Sequence, residues 1–215
     1  MLPTTKNNRR FVTGAFLVLG CILLGGCQSA MISEPVTIGY VSNSLGFPVV
    51  NRNNHQYILA RQSLIYPTDV FDTDGSSMIE ITLLDGTLIT IAKKSHVVLH
   101  NFVGDENSSF MDLNIAKGAM RAELNSNCKL ELRTALAVVH LEGGSSYARY
   151  VSNRLEIVML ESGNMEVSND DGEVVVETAS YGTTVFAGSA PQAPSLWTER
   201  RLNRAIQSTT VKARP

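Results

Sequence analysis

The segment from residue 78 to residue 99 constrains the fold most, because its apolar and polar residues alternate on both sides of a glycine turn. A period of two is typical of a strand with one buried face. A two-residue loop at Asp85-Gly86 would pair Ile81 with a threonine, whereas a three-residue loop that includes Leu84 would pair Ile81 with Ile89. We therefore predict a hairpin with a three-residue loop and one apolar face.

Three further segments carry glycine turns between alternating runs, so the sequence predicts an all-β fold built from short hairpins. A twisted β-sandwich and a β-solenoid-like domain both remain open, because alternation does not show whether successive strands pair or stack. A three-residue loop at 161–163 would place Met159 opposite Met165, and one at 170–172 would place Val167 opposite Val175. A two-residue loop at Lys117-Gly118 would place Ile115 opposite Met120.

The length of the chain indicates the number of domains, and its net charge argues against nucleic-acid binding. The 215 residues suit one domain with extensions, and the formal net charge of −2 is far from the basic balance of a nucleic-acid-binding protein. We therefore expect no nucleic acid among the partners.

Residues 1–26 have the pattern of a secretory signal peptide, since basic residues precede an uncharged apolar run that is short for a membrane span. The end of this run, Leu24-Gly25-Gly26-Cys27, resembles a bacterial lipobox. We therefore predict a lipoprotein signal peptide, cleavage between Gly26 and Cys27, and lipidation of Cys27 with diacylglycerol and acyl chains such as palmitate. The alternatives are lipidation at Cys21, an uncleaved anchor and an ordinary signal peptide.

The predicted lipidation and the residues that follow the cleavage site indicate where in the cell the mature protein would lie. Two or three acyl chains would hold the protein on a membrane, since each buried methylene contributes about 0.8 kcal/mol. By resemblance to sorting rules in Gram-negative bacteria, Gln28 indicates the outer membrane, with the domain facing the periplasm. Residues 27–35 would form a tether. Cleavage would remove three of the 18 basic residues and none of the 20 acidic ones, leaving a charge of about −5.

Cys128 would then be the sole unmodified cysteine, so the mature chain could form no internal disulfide. It alternates with Leu130 and Leu132, which predicts a shared apolar face. We interpret it as a buried structural thiol rather than a reactive one.

Residues 190–215 form a basic C-terminal segment, in which we predict a short helix with Ser195 as its N-cap. Glu199 would lie in the first turn and the arginines later, which is the order that the helix dipole favours. Two interpretations remain open: a solvated helix docked on the domain, or contact with anionic envelope material or a partner. The apolar stripe of the helix would be Leu202, Ala205 and Ile206, and the basic residues are Arg200, Arg201, Arg204, Lys212 and Arg214.

The order of the turns between about Ile38 and Val167 resembles the FecR-like domain, the periplasmic part of FecR-type sensory regulators. Each motif is weak alone, and their order and spacing carry the resemblance. Thr68 stands where the family has glycine, and Ala135, Glu142 and Gly144 also depart from its pattern. The family-motif residues are Asp69 and Thr73 in G-D-x-I-x-T, Asp85, Gly86 and Thr87 in D-G-T, Gly118 in L-x-x-G, Thr134 in T-P-x-A, Gly143 in V-R-G-T, and Gly163 in the closing repeat.

The resemblance implies an all-β domain, for which we take residues 36–189, with no catalytic residues and no cofactor. In the sensory members a cytoplasmic segment controls a sigma factor. Only ten residues precede the apolar run here, so we expect no direct control of a sigma factor.

Motifs for catalysis and metal binding are weak in this sequence. His96 and His100 would lie about 13 Å apart on one strand, too far to share an ion unaided. Residues 72–75 hint at a calcium loop but lack the remaining ligands. His140 and Ser145 could be imagined as base and nucleophile, yet no G-x-S-x-G elbow is present. We therefore expect no enzyme and no metal.

Three hypotheses for function follow. The first is a non-catalytic, lipid-anchored module that binds or scaffolds an envelope protein or glycan. The second is a regulatory component that relays the state of the envelope to a transmembrane signalling partner. The third is a hydrolase that acts on envelope polymers.

Overall fold

The structure, a computed structural model, describes residues 36–105 and 107–212. The predicted signal peptide 1–26, the Gly26–Cys27 cleavage site, the lipidation of Cys27 and the tether 27–35 lie outside the described residues. In the part that is described, no helix has the length and apolar character needed to cross a bilayer.

Seventeen strands and one short helix make up the described residues. The prediction of an all-β fold with a short C-terminal helix is therefore confirmed. The elements are β1 (Gly39–Leu45), β2 (Val49–Arg52), β3 (His55–Ile58), β4 (Leu64–Ile65), β5 (Val70–Asp72), β6 (Met78–Leu83), β7 (Leu88–Ile91), β8 (His96–Gly104), β9 (Ser109–Glu123), β10 (Cys128–Arg133), β11 (Val138–Glu142), β12 (Ser145–Val151), β13 (Arg154–Glu161), β14 (Asn164–Asn169), β15 (Gly172–Val176), β16 (Tyr181–Phe186), β17 (Ser195–Leu196) and α1 (Glu199–Ser208).

The strands form one continuous mixed sheet that the long strand β9 divides into two layers. Layer A has the order β4-β1-β6-β7-β9-β12-β13-β16-β17. Layer B has the order β3-β2-β5-β8-β9-β10-β11-β14-β15. Every pairing is antiparallel except the parallel one between β9 and β10. This arrangement corresponds to the sandwich alternative.

One apolar core lies between the two layers. It contains residues from both, including Ile81 and Ile157 of layer A and Leu113 and Leu132 of layer B, each at most 2% exposed. A gap lined by both layers holds only about 10 Å³, which is the space of one water molecule or less. A ligand therefore has to bind outside the core.

The hairpin between β6 and β7 has the predicted register. Ile81 lies opposite Ile89, and the N–H of Leu83 donates to the carbonyl of Thr87 at 2.9 Å across a three-residue loop. The alternating isoleucines therefore share the buried face, as their spacing indicated.

The predicted hairpin at Lys117-Gly118 is wrong, because both sides of this dipeptide belong to the single strand β9. Its first part pairs with β8 and β10 in layer B, and its last part pairs with β7 and β12 in layer A. A strand that passes between two facing layers reverses the side that faces the core. Ile115 and Met120 are therefore both buried, although side chains whose residue numbers differ by an odd number lie on opposite faces of a regular strand. A hairpin with a two-residue loop at Lys117-Gly118 would bury the same two residues.

The predicted pairing of Met159 with Met165 is also wrong. Both side chains are fully buried, but β13 lies in layer A and β14 in layer B. The loop at 161–163 is thus a corner between the layers, not a hairpin. The next hairpin does form, but with a two-residue loop that places Val167 opposite Val174 instead of Val175. This register turns Val174 toward the core and leaves Val175 50% exposed.

The C-terminal helix begins later than predicted. Ser195 lies in the edge strand β17, and Thr198 is the N-cap, although its side chain makes no capping hydrogen bond. Glu199 lies in the first turn, as expected. The last turn of α1 contains no basic residue, so the predicted match of the arginines to the helix dipole is wrong.

Candidate functional site

Asp69, the first family-motif residue, is fully buried in the turn between β4 and β5. Its two carboxylate oxygens accept hydrogen bonds from the guanidinium of Arg52, each at 2.6 Å, and one of them also accepts from the N–H of Tyr66 at 3.0 Å. The Arg52 guanidinium lies 4.2 Å from the centre of the Tyr66 ring. The hydrogen bond that Arg52 donates to the Asp69 carboxylate raises the pKa of Arg52. These contacts tie β2 to the β4–β5 turn.

Thr73 and Gly118 lie at a second corner, where Ser95 connects them. Thr73 Oγ1 donates to the carbonyl of Ala92 at 2.6 Å and accepts from the N–H of Ser95 at 2.9 Å. Ser95 Oγ in turn accepts from the N–H of Ala119 at 3.0 Å. Gly118 has φ +102°, and a Cβ there would lie 2.4 Å from the Cα of Ser95. Only glycine therefore fits the point at which β9 changes layers.

Asp85 and Thr87 form a third buried polar cluster at the loop between β6 and β7. The Asp85 carboxylate accepts from the N–H and the hydroxyl of Thr87, both at 2.9 Å, and from the hydroxyl of Ser109. Gly86 completes the loop with φ +87°. Cys128 lies beside this cluster, 1% exposed, and burial raises the pKa of its thiol. The prediction of a buried structural cysteine is therefore supported.

The remaining motif residues shape two more turns. Thr134 Oγ1 accepts from the N–H of Leu136 at 3.1 Å and from the N–H of Ala137 at 3.2 Å. Gly143 and Gly163 meet where layers A and B exchange strands, since a Cβ on Gly163 would lie 2.6 Å from the carbonyl oxygen of Gly143. The family-motif residues thus determine how the chain turns, and they do not form a common pocket.

The histidines named in the sequence do not come together. His96 Nδ1 lies 2.5 Å from a carboxylate oxygen of Asp72 on the neighbouring strand, while His100 is exposed at an irregularity of the β8–β9 pairing. Within 36–105 and 107–212, no three histidine, cysteine or acidic side chains are placed to hold a metal ion.

His140 and Ser145 are also kept apart. His140 is exposed in β11 of layer B, whereas Ser145 is 3% exposed at the start of β12 in layer A. A buried hydroxyl on one layer has no access to a base that faces solvent on the other.

Helix α1 packs on the outer face of layer A. Ala205 and Trp197, each 4% exposed, contact Tyr147 of β12 and Val158 of β13 in a second apolar cluster. The rings of Tyr147 and Trp197 meet edge to face with centroids 6.4 Å apart. Burial raises the pKa of Tyr147. The docked-helix interpretation is therefore supported, with Leu202 partly buried and Ile206 38% exposed.

Two clefts flank this helix, and together we call them the basic groove. The first holds about 480 Å³ and the second about 530 Å³. Tyr147, Arg149 and Ser208 line both, so the clefts adjoin. The basic lining residues are Arg149, Arg154, Arg201 and Arg204 in the first cleft and Lys93, Lys94, Lys117, Arg149 and Lys212 in the second.

Glu156 is the carboxylate that lines the groove, and it contacts three of the eight cations. Its oxygens lie 2.8 Å from Arg201, 3.5 Å from Arg149 and 3.9 Å from Arg154. Among the residues that the structure describes, the other lining cations have no carboxylate within 4 Å. The groove is therefore strongly positive on a protein whose net charge is −2.

A comparison with known protein families matches the part of the chain that contains the motif residues described above. The family model of the FecR protein matches residues 69–163. This part, which is under half of the 215 residues, is similar to the FecR protein family, and we refer to it as the FecR domain. A search of curated proteins found no match.

Two solved structures share the fold over part of this chain. Both are crystal structures, at 2.50 and 1.65 Å resolution, of a protein from Parabacteroides distasonis ATCC 8503 described as a "putative anti-sigma factor". The TM-score is 0.52 for each, with 13% and 12% sequence identity. The match covers 64% of this chain and 64% of each solved chain. At these identities the likeness shows the fold alone.

The basic groove is shared between the FecR domain and the segment that follows it. Lys93, Lys94, Lys117, Arg149 and Arg154 lie within residues 69–163, and Arg201, Arg204 and Lys212 lie beyond them. Sequence reasoning identified the basic C-terminal segment but missed the basic residues of the strands and of the turn between β7 and β8. The Lys93-Lys94 pair was a visible signal, yet its position below α1 depends on the order of strands in layer A.

Proposed function

We propose that this chain is a non-catalytic FecR-domain protein of the cell envelope that binds or scaffolds an envelope partner or ligand. The observation that carries this proposal is the basic groove, an open concave surface built by the FecR domain together with α1. The motif side chains support it indirectly, since their hydrogen bonds are used inside the fold. Recognition therefore takes place on the outer surface.

The envelope location in this proposal comes from the sequence alone. Cleavage at Gly26, acylation of Cys27 and the following Gln28 would place the FecR domain on the outer membrane, facing the periplasm. Mass spectrometry of protein purified from native cells should find Cys27 as an acylated N-terminus. An unmodified Cys27, or intact residues 1–26, would contradict this location.

The binding role is tested by capturing partners in native membranes. A photocrosslinking residue at Gln207, which lines the second cleft, should give a discrete crosslinked envelope partner or glycan. The matched control places the same residue at Gln56 in β3, an exposed glutamine of layer B. Equal products at the two positions, or none at Gln207 under varied growth conditions, would count against the proposal.

A regulatory role is the alternative, in which the bound protein relays the state of the envelope to a transmembrane signalling partner. The description of the two solved structures as a "putative anti-sigma factor" favours it, although at 12–13% identity only the fold is shared. Deleting the gene should then change the transcription of a defined set of genes. An unchanged transcriptome under envelope stress would remove this alternative.

A further inference from the structure

We propose that the basic groove binds a ligand that carries at least two phosphate groups, one in each cleft beside α1. This inference rests on the proposed binding function and gives it a ligand class.

Most of the described lysines and arginines outside the groove are paired with acidic side chains. In the part of the chain that the structure describes, four of them each contact at least one carboxylate within 4 Å, so their charge is largely compensated, and Arg61 and Arg200 have no such contact. Eight cations of the groove have Glu156 as their one lining carboxylate. Like charges at this density repel one another, and a bound multivalent anion relieves that repulsion. The compensated residues are Arg52, Arg121, Lys129 and Arg133.

Two guanidinium groups of the first cleft contact neighbouring groups that restrain them. Arg201 lies 3.5 Å above the centre of the Trp197 ring and donates to Glu156 at 2.8 Å. Arg204 is anchored through its Nε, which donates to the carbonyl of Arg200 at 3.3 Å, so its terminal nitrogens remain available. Planar guanidinium groups bind phosphate oxygens in pairs, and restraining them beforehand reduces the entropy lost on binding.

The second cleft combines point charges with an apolar floor. Lys93, Lys94, Lys117 and Lys212 surround it, and Met78, Ala92 and Val151 contribute apolar surface. Arg149 lines both clefts and connects them. A lysine ammonium suits a phosphate as a point charge, and the apolar floor suits the carbon skeleton between two phosphates. The phosphates could belong to a soluble compound or to a lipid headgroup.

Calorimetric titration of the full chain in a nonionic detergent distinguishes these sources. The probes are inorganic tripolyphosphate, short-chain diphosphatidylglycerol, and tricarballylate as a carboxylate of similar charge, all at one ionic strength. We expect one or both phosphate probes to bind at least tenfold more tightly than tricarballylate. Tighter binding of tripolyphosphate indicates a soluble ligand, and tighter binding of the lipid indicates a headgroup.

Charge-removing variants locate the site. Arg204→Gln and Lys117→Gln, one from each cleft, should each weaken phosphate binding about tenfold, a loss of about 1.4 kcal/mol. Arg61→Gln, an exposed residue outside the groove, should leave binding unchanged. Thermal melts confirm that the variants are folded.

Three outcomes would overturn the phosphate inference: neither phosphate probe binds, tricarballylate binds equally well, or the groove variants bind like Arg61→Gln. If a partner is still crosslinked at Gln207, the binding function stands and its ligand is not a phosphate. If a phosphate probe binds but no partner is captured, the phosphate inference stands, and the proposal of a macromolecular envelope partner is wrong.

Discussion

Thr68 shows how a single residue can depart from its family without changing the fold. It precedes the buried Asp69 and has φ +68°, a left-handed conformation that is unfavourable for a β-branched side chain. The resembled family has glycine at this position. The threonine therefore stores strain in a turn that the Arg52–Asp69 ion pair holds in place.

Replacing this threonine by glycine should stabilise the protein. Thr68→Gly relieves a conformational cost of about 1–2 kcal/mol and adds a smaller entropy cost of about 0.5–1 kcal/mol in the unfolded chain. We expect the free energy of unfolding, measured with urea, to rise by about 1 kcal/mol. The control is Thr178→Gly, an exposed turn residue outside the left-handed region, which should be neutral or destabilising. A lower free energy of unfolding for Thr68→Gly than for the wild type would show that Thr68 is not strained.

Asp74 gives a pH-dependent prediction. Hydrogen bonds from the N–H and hydroxyl of Ser76 and the N–H of Ser77 lower its pKa from 3.8 to about 2. Because the folded pKa is depressed, the stabilisation is present above about pH 4 and is lost as the pH falls through 2. Asp74→Ala should therefore be less stable than the wild type at pH 6, with a difference that shrinks toward pH 2.

The control for Asp74 is Asp171→Ala. Its carboxylate accepts no hydrogen bond within the described part of the chain, so its effect should be small at every pH. Urea unfolding between pH 6 and pH 2.5 measures both variants. A difference for Asp74→Ala that stays constant over this range would show that the serine hydrogen bonds do not favour the ionised carboxylate.

At the scale of elements, β9 and α1 carry most of what distinguishes this fold. β9 changes layers at Gly118, and α1 covers the outer face of layer A where the basic groove lies. Each depends on close packing at one small residue, Gly118 in β9 and Ala205 in α1, so a single substitution can test it.

Gly118→Ala should be strongly destabilising. A Cβ at this position would lie 2.2–2.5 Å from three atoms of Ser95, in a backbone conformation of φ +102°. We expect a loss of more than about 3 kcal/mol, or failure to fold, from overpacking and backbone strain together. Gly188→Ala has φ +69° with no atom within 4 Å, so it should cost about 1 kcal/mol. Equal melting temperatures for the two variants would refute the role assigned to this bend.

Ala205→Asp should release α1 without unfolding the sandwich. It places a charge in the cluster with Trp197 and Tyr147, whereas Ile206→Asp changes a residue that is 38% exposed. Trp197 is the sole tryptophan and is buried at this contact, so its fluorescence should shift to the red in Ala205→Asp alone. Far-UV circular dichroism should keep its β signal in both. Unshifted fluorescence in a folded Ala205→Asp would show that α1 is held by other contacts.

At the scale of the whole molecule, the two layers share one core and one strand, so they should unfold together. Leu132→Ala in layer B and Leu155→Ala in layer A each create a cavity costing about 2–4 kcal/mol. Each should lower the midpoint of a single urea transition. A two-phase curve for either variant would mean that the layers are separate cooperative units.

Local features of this fold could be predicted from the sequence, whereas its strand partners could not. The β6–β7 hairpin was predictable because loop length and alternation agree on the pairing of Ile81 with Ile89. The bend at Gly118 and the corner at 161–163 produce the same alternation as hairpins, so the pattern alone does not separate the two. The resemblance to the FecR family identified the corner residues but not their contacts.

The candidate site was predictable only in part, for the same reason. The cluster of arginines near the C-terminus is a local property of the sequence, and the prediction of a basic helix followed from it. The groove also needs Lys93 of the turn between β7 and β8, Lys117 of β9 and Arg149 of β12, which are far apart in the sequence. Their convergence is a result of strand order, which side-chain periodicity does not encode.

The central position of β9 determines the order in which the chain can be assembled. In each layer, four strands that precede β9 in the sequence lie on one side of it, and four that follow lie on the other. A nascent chain that ends near residue 123 would therefore present β9 as an open edge in both layers, ready to template β10 and β12 when they emerge. Until they arrive, that edge can pair with another copy, so chaperones that shield unpaired strands would matter most at this stage of synthesis.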